Sequence, residues 1–188
     1  MNKVYPIKSK KMIKAMKEDL LEHNGMKGYM MMVLQLNLGL RISDVITLKV
    51  MDLLDKKHLR IKEQKTGKTK DFLINSQLQK EIKKYVKEAE LKDNDYLFQS
   101  RQKNSEGIKK NISRVQAYRI LKASADRLGI ENFGTHSIRK TFGYFYYQKT
   151  NDLTKLMKIF NHSAPSVTAK YIGIEQEELD ESLEDFFL

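Results

Sequence analysis

A chain of 188 residues, 40% of them apolar, is long enough to close one domain around a real hydrophobic core. With no run near the roughly 20 apolar residues of a membrane-spanning helix, no basic-then-apolar leader and no cysteine, the chain excludes a membrane span, disulfides, thiolate metal centres and a cysteine nucleophile. The net charge is +11 and the pI about 9.6, and because residues 175–188 hold seven acids and no base, all 35 basic residues stand against 17 acidic ones in residues 1–174.

Such a body favours a polyanionic partner, DNA or RNA, bound with a steep salt dependence because each neutralised phosphate releases counterions. A merely lysine-rich protein carries the same charge, so charge alone does not decide.

In chain order, Met12, Ile13, Met16, Leu20 and Leu21 recur at helical spacing among lysines and predict a helix over 8–23. Residues 26–39 are more apolar and read as a buried helix ending at Gly39. Ser43 and Asp44 start a short helix within 41–49. Then His58 to Gln64 alternates, Thr66-Gly67 offers a turn, and Lys70 to Ile74 follows, which predicts a β-hairpin. A helix over 76–90 comes next, with a short third strand at Tyr96–Phe98. Helices are expected over 113–128, 137–149, 152–160 and 165–172. In the acidic tail, Leu179, Leu183, Phe186 and Phe187 share one face of a last helix. The sum is α+β, mostly helical with one small antiparallel sheet.

Several chemistries are missing. Gly67-Lys68-Thr69 mimics the end of a P-loop, but Lys62 stands where its first glycine belongs. The four histidines (His23, His58, His136, His162) lack the spacing of a metal pair, so the sequence calls for no metal and no cofactor. The candidate residues are Arg41 at a helix start, Lys65 at the hairpin tip, His136 and Arg139 three apart on one helix face, His162, and Tyr171. A guanidinium holds two phosphate oxygens at once. A neutral imidazole accepts a proton near pH 7, and a phenol attacks phosphorus once a base and positive charge assist it. Singly, these have plain structural readings: a surface arginine capped by Asp44, a solvated turn lysine, a helix-start histidine and a solvent-facing arginine; Tyr144, Tyr146 and Tyr147 read as core aromatics or a DNA-facing surface.

Taken together in this order, GLRISD around Arg41, KTGK around Lys65, His136-Ser-Ile-Arg139, Asn161-His162 and Tyr171 nine residues later resemble the catalytic set of the tyrosine recombinase (phage integrase) family. The resemblance covers roughly residues 8–175. It implies the catalytic-domain (DNA breaking–rejoining) fold of that family. It also implies a transesterification without metal or ATP, in which Tyr171 forms a 3′-phosphotyrosyl link and a 5′-hydroxyl later reverses it. Arg41, His136, Arg139 and His162 would then act on the phosphate or the nucleophile. Asp44 would orient Arg41, and Lys65 would protonate the leaving oxygen from the minor groove, with Lys68 the next choice. Lys68, Lys70 and Lys140 would contact DNA. Two family positions differ here. Lys140 stands where many members have histidine, and Asn161 replaces a glycine that permits φ > 0, for which asparagine is the next best residue.

On this reading residues 1–188 form one catalytic domain, and the acidic helix over 174–188 packs on its own domain or docks on a neighbouring protomer. Arg41 comes too early for the helical core-binding domain that usually precedes the catalytic one. The expectation is therefore a short recombinase without that domain, as in the fimbrial phase-switch invertases, or else a catalytic fragment. Expected partners are double-stranded DNA, one or three further protomers assembled on it, and accessory DNA-bending proteins, all in a cytoplasm of bacterial or phage origin. A type IB topoisomerase shares the chemistry, and an idle DNA-binding repressor shares the charge.

Overall fold

The computed structural model of the chain describes residues 4–62, 67, 69–103, 105, 107, 109–174 and 184. Helix α1 (Lys10–Leu38) opens on Ser9, whose side chain accepts from the Met12 N–H, and closes on Gly39 in the left-handed region. It is two helices in one line. Gly25 breaks it with φ 61° and ψ −167°, at the boundary between the two helices read from the sequence. The second half is nearly all buried, from Met26 through Met30, Met31, Met32, Val33 and Leu34 to Leu38, and it is the central strut of the core.

The helix expected within 41–49 is shorter and divided, into α2 (Ile42–Val45) and α3 (Val50–Leu53). Strands β1 (His58–Lys62) and β2 (Thr69–Leu73) pair antiparallel in the register His58↔Leu73 to Lys62↔Thr69, the predicted hairpin. Helix α4 (Ser76–Glu88) follows, capped by the Asn75 side chain.

The third strand is displaced from its expected place. Tyr96 makes a single bridge to Lys49, while Leu97 and Phe98 are fully buried and fill the core. Pairing begins only where the chain reaches the surface again, at β3 (Gln99–Lys103), which runs antiparallel to β4 (Lys109–Asn111). The described residues thus contain two separate two-stranded sheets. Four helices complete the fold: α5 (Arg114–Arg127), α6 (Ser137–Thr150), α7 (Leu153–Phe160) and α8 (Pro165–Ile172). The acidic tail helix lies outside the described residues except for Glu184.

One core joins α1 to α5 and the first hairpin. A second, small one lies under α7 and α8, where Leu156, Phe160 and Ile172 are fully buried. Phe142, Tyr146, Tyr147 and Tyr171 pack against it, so two of the three tyrosines clustered at 144–147 are core aromatics. No described helix is long and apolar enough to cross a membrane.

Candidate active site

The site lies where α6, α7 and α8 meet the end of α1. Gly39 ends α1 at φ +61°, and a Cβ there would stand 2.4 Å from the Phe142 ring, so both the turn and the contact require glycine. Two residues on, Arg41 takes the position before α2, and its Nη1 lies 4.0 Å from Oδ2 of the fully buried Asp44. Asp44 therefore faces the arginine as a buried ion-pair partner.

Arg139 is the most deeply set member, with 2% of its surface exposed. Its Nη1 donates to the Gly39 carbonyl at 2.6 Å and its Nη2 to the Phe160 carbonyl at 3.2 Å, and the guanidinium stacks 4.5 Å from the Phe160 ring. A buried charge is tolerable only when hydrogen-bonded in this way.

Asn161 adopts the left-handed conformation, φ 57°, and ends α7. The turn expected of it forms without the usual glycine. His162 follows, its N–H bonded to the Met157 carbonyl and its Nδ1 3.1 Å from the buried Thr168 hydroxyl. That partner fixes the ring's orientation.

Tyr171 closes the site. Its hydroxyl lies 3.1 Å from His136 Nδ1, and its ring stands edge-on to His162 and Phe160, at centroid distances of 4.9 and 5.3 Å. Burial pushes the phenol above its ordinary pKa. Arg139, through charge and hydrogen bonding, and Arg41, through charge, pull it back down. This closeness depends on Gly143, where a Cβ would meet Ile172 at 2.6 Å and the Phe160 ring at 2.7 Å. Any larger residue on α6 would hold α8 away from His136.

The structure thus brings Arg41, Asp44, His136, Arg139, His162 and Tyr171 together. Lys65 and Lys68 lie outside the described residues. Lys70, on β2, donates to the Lys158 and Ile159 carbonyls at 2.9 and 2.7 Å. It caps the C-terminal end of α7 and fastens the hairpin next to the His162 turn. Lys140 is in the site too, its ammonium 5.0 Å from the Tyr171 ring centroid.

Sequence reasoning read Gly39 as a helix end but missed its contact with Phe142 and its carbonyl's bond to Arg139, and it missed Gly143, the Phe160 carbonyl and ring, and Thr168. Of these only the glycines carried a signal, since each interrupts a helical pattern. It also missed a basic cavity of about 540 Å³ beside the second hairpin, where Lys27, Arg101 and Lys109 converge. Burial, then Arg101 and Lys109, push the Lys27 ammonium below its ordinary value.

A buried, carbonyl-held guanidinium, a second arginine, two imidazoles and a phenol within reach of one of them converge on a mostly helical α+β domain, a set of groups able to bind and polarise a phosphodiester. The phage integrase family profile matches residues 4–178, and the chain belongs to that family, the tyrosine recombinases, as an enzyme of DNA strand transesterification. Among its relatives is the probable integrase/recombinase YoeC of Bacillus subtilis (strain 168), 44% identical over 177 residues, 94% of this chain and 93% of that protein. In structure it is similar to the XerA recombinase, at TM-score 0.75 and 19% identity over 97% of this chain and 63% of that one. It is likewise similar to XerH, solved in a post-cleavage complex with a palindromic difH substrate, at TM-score 0.73 and 19% identity over 98% of this chain and 54% of that one. The chain therefore spans nearly all of YoeC and a little over half of the two Xer chains.

Proposed function

We propose that residues 1–188 form the catalytic domain of a site-specific DNA recombinase in which Tyr171 is the nucleophile. The observation that carries this reading is the 3.1 Å contact between the Tyr171 hydroxyl and His136 Nδ1, with Arg139 and Arg41 both acting on the same phenol. The imidazole takes the phenol proton as the oxygen attacks a backbone phosphorus. A P–Oη bond forms and the bond to O5′ breaks, which leaves a 3′-phosphotyrosyl link. Lys65, or failing it Lys68, supplies the proton to the departing O5′.

Arg41 and Arg139 hold the non-bridging oxygens while charge builds on the phosphorane. Arg139 suits that task because two carbonyls already fix its plane. His162 donates to the same phosphate, steadied by Thr168, and Asp44 steadies Arg41. A 5′-hydroxyl from a partner strand then reverses the step, so no high-energy cofactor is consumed.

The partner is double-stranded DNA in the cytoplasm, gripped through Lys68, Lys70 and the basic cavity at Lys27, Arg101 and Lys109. Work on two duplexes requires a dimer or tetramer on the DNA, with accessory DNA-bending proteins adding grip. Tyr171→Phe tests the reading. It is expected to bind DNA as before and to form no covalent adduct on a nicked substrate. A variant that still forms the adduct ends the assignment, and relaxation of supercoiled DNA lacking any specific site replaces it with a type IB topoisomerase.

A further inference from the structure

Lys140 follows Arg139 on α6, at a position the proposed chemistry does not need. Its ammonium is nonetheless held in a defined place, 5.0 Å from the Tyr171 ring centroid and bonded at 2.8 Å to the carbonyl of Val4. Val4 belongs to a short arm ahead of α1 that is itself fastened at several points. The Tyr5 N–H donates to the Asn132 carbonyl at 3.4 Å, and the Ile7 N–H to the buried Thr141 hydroxyl at 2.8 Å. Val4 packs so closely on Gly134 that a Cβ there would stand 2.6 Å from the valine, and Pro6 lies against Gly173 just beyond α8. The arm thus bridges the start of α6, which carries His136, and the end of α8, which carries Tyr171.

A cation over an aromatic face is attracted by the ring quadrupole, and more strongly when the site excludes water. The attraction grows when the phenol oxygen gains negative charge, because a phenolate spreads that charge into its ring. A lysine at this place therefore favours the attacking form of the nucleophile over the resting one. We propose that Lys140, anchored by the Val4 carbonyl, is a positioning residue of the reaction, holding the Tyr171 ring against α6 and stabilising the charge its oxygen develops on attack. This rests on the reading of Tyr171 as nucleophile. The charged and titratable groups facing the phenol from the packed elements are Arg41, His136, Arg139, Lys140 and His162.

The test is the single-turnover rate of covalent adduct formation on a nicked duplex at saturating DNA, followed against pH. Lys140→Met keeps the stem and removes the charge; Lys140→Gln repeats the removal with a polar end; Lys140→Arg keeps the charge. Both neutral variants are expected to react about tenfold more slowly at neutral pH, with profiles displaced upward by about one pH unit. Lys140→Arg is expected to restore the wild-type profile, and DNA affinity is expected to stay unchanged throughout. Neutral variants whose pH profiles superimpose on the wild type overturn the proposal. So does a loss of DNA affinity with a salt slope reduced by about one phosphate and an unmoved profile, since Lys140 would then be a plain phosphate contact. A wild-type protein that forms no adduct at any pH removes the nucleophile reading itself, a result distinguishable from either.

Discussion

The Arg139 guanidinium donates at 2.6 Å to the carbonyl of Gly39, a hundred residues earlier in the chain. The same side chain bonds the Phe160 carbonyl, so one residue joins the end of α1, the body of α6 and the end of α7. The charge and the scaffold that aims it are a single object.

Arg139→Lys follows from that geometry. A lysine keeps the charge but cannot span two carbonyls with a planar fork, and a buried carbonyl left without its donor costs about 1–3 kcal/mol. The expected result is a fold weakened by about that amount in urea, with adduct formation reduced roughly 10²–10³-fold, as when an anion-stabilising donor is removed. Near wild-type rates from Arg139→Lys would show that charge alone suffices.

Gly143→Ala sets two effects in opposition. Alanine improves helix propensity by about 1 kcal/mol, but its Cβ meets Ile172 and the Phe160 ring at 2.6 and 2.7 Å. Overpacking of this kind costs about 1–3 kcal/mol, and neither neighbour is the free end of a flexible chain. Net destabilisation is expected, with a larger loss of adduct formation as α8 moves off His136. A variant more stable than wild type and fully active would mean that α6 and α8 are not held this close.

Alkaline pH gives a third measurement. Burial raises the Tyr171 pKa in the folded chain above its unfolded value near 10. The unfolded chain therefore loses this proton first. The stability associated with it is fully present below about pH 10 and declines as pH rises from there through the folded value. Thermal unfolding of the wild type between pH 8 and 11 is expected to show that decline, and Tyr171→Phe to reduce it. Parallel curves for the two proteins would remove the burial argument. Tyr85, also raised by burial, supplies a further decline common to both.

Much of this was legible because it was written in local terms. Periodicity marks α4 to α8 within a residue or two at most ends, and Asn161 reads as a left-handed turn residue because it stands where the resembled family has glycine, for which asparagine is the next best residue. The second hairpin was not legible. Its strands, Gln99–Lys103 and Lys109–Asn111, hold no apolar residue to alternate, and its register is broken between Gln99 and Lys103. Tyr96–Phe98 looked like a strand because a core plug and a buried strand have the same composition. Among the candidate site residues, His136, Arg139 and Tyr171 are singled out by the resemblance of their motifs to the family's, which says nothing of what holds them. The Gly39 carbonyl, the Val4 carbonyl and Thr168 act through backbone or through one hydroxyl, at distances along the chain that no spacing rule covers.

Tyr171 rests on the smaller of two cores. Three fully buried side chains, Leu156, Phe160 and Ile172, anchor α7 and α8, each contributing about 1.5–3 kcal/mol, whereas α1 is anchored along most of its buried half. Opening of α7 and α8 is expected to cost less than global unfolding, and their amide protons to exchange sooner than those of α1. Activity and fold therefore have separate melting points. Gentle heating is expected to displace Tyr171 from His136 while the greater part of the domain stays native.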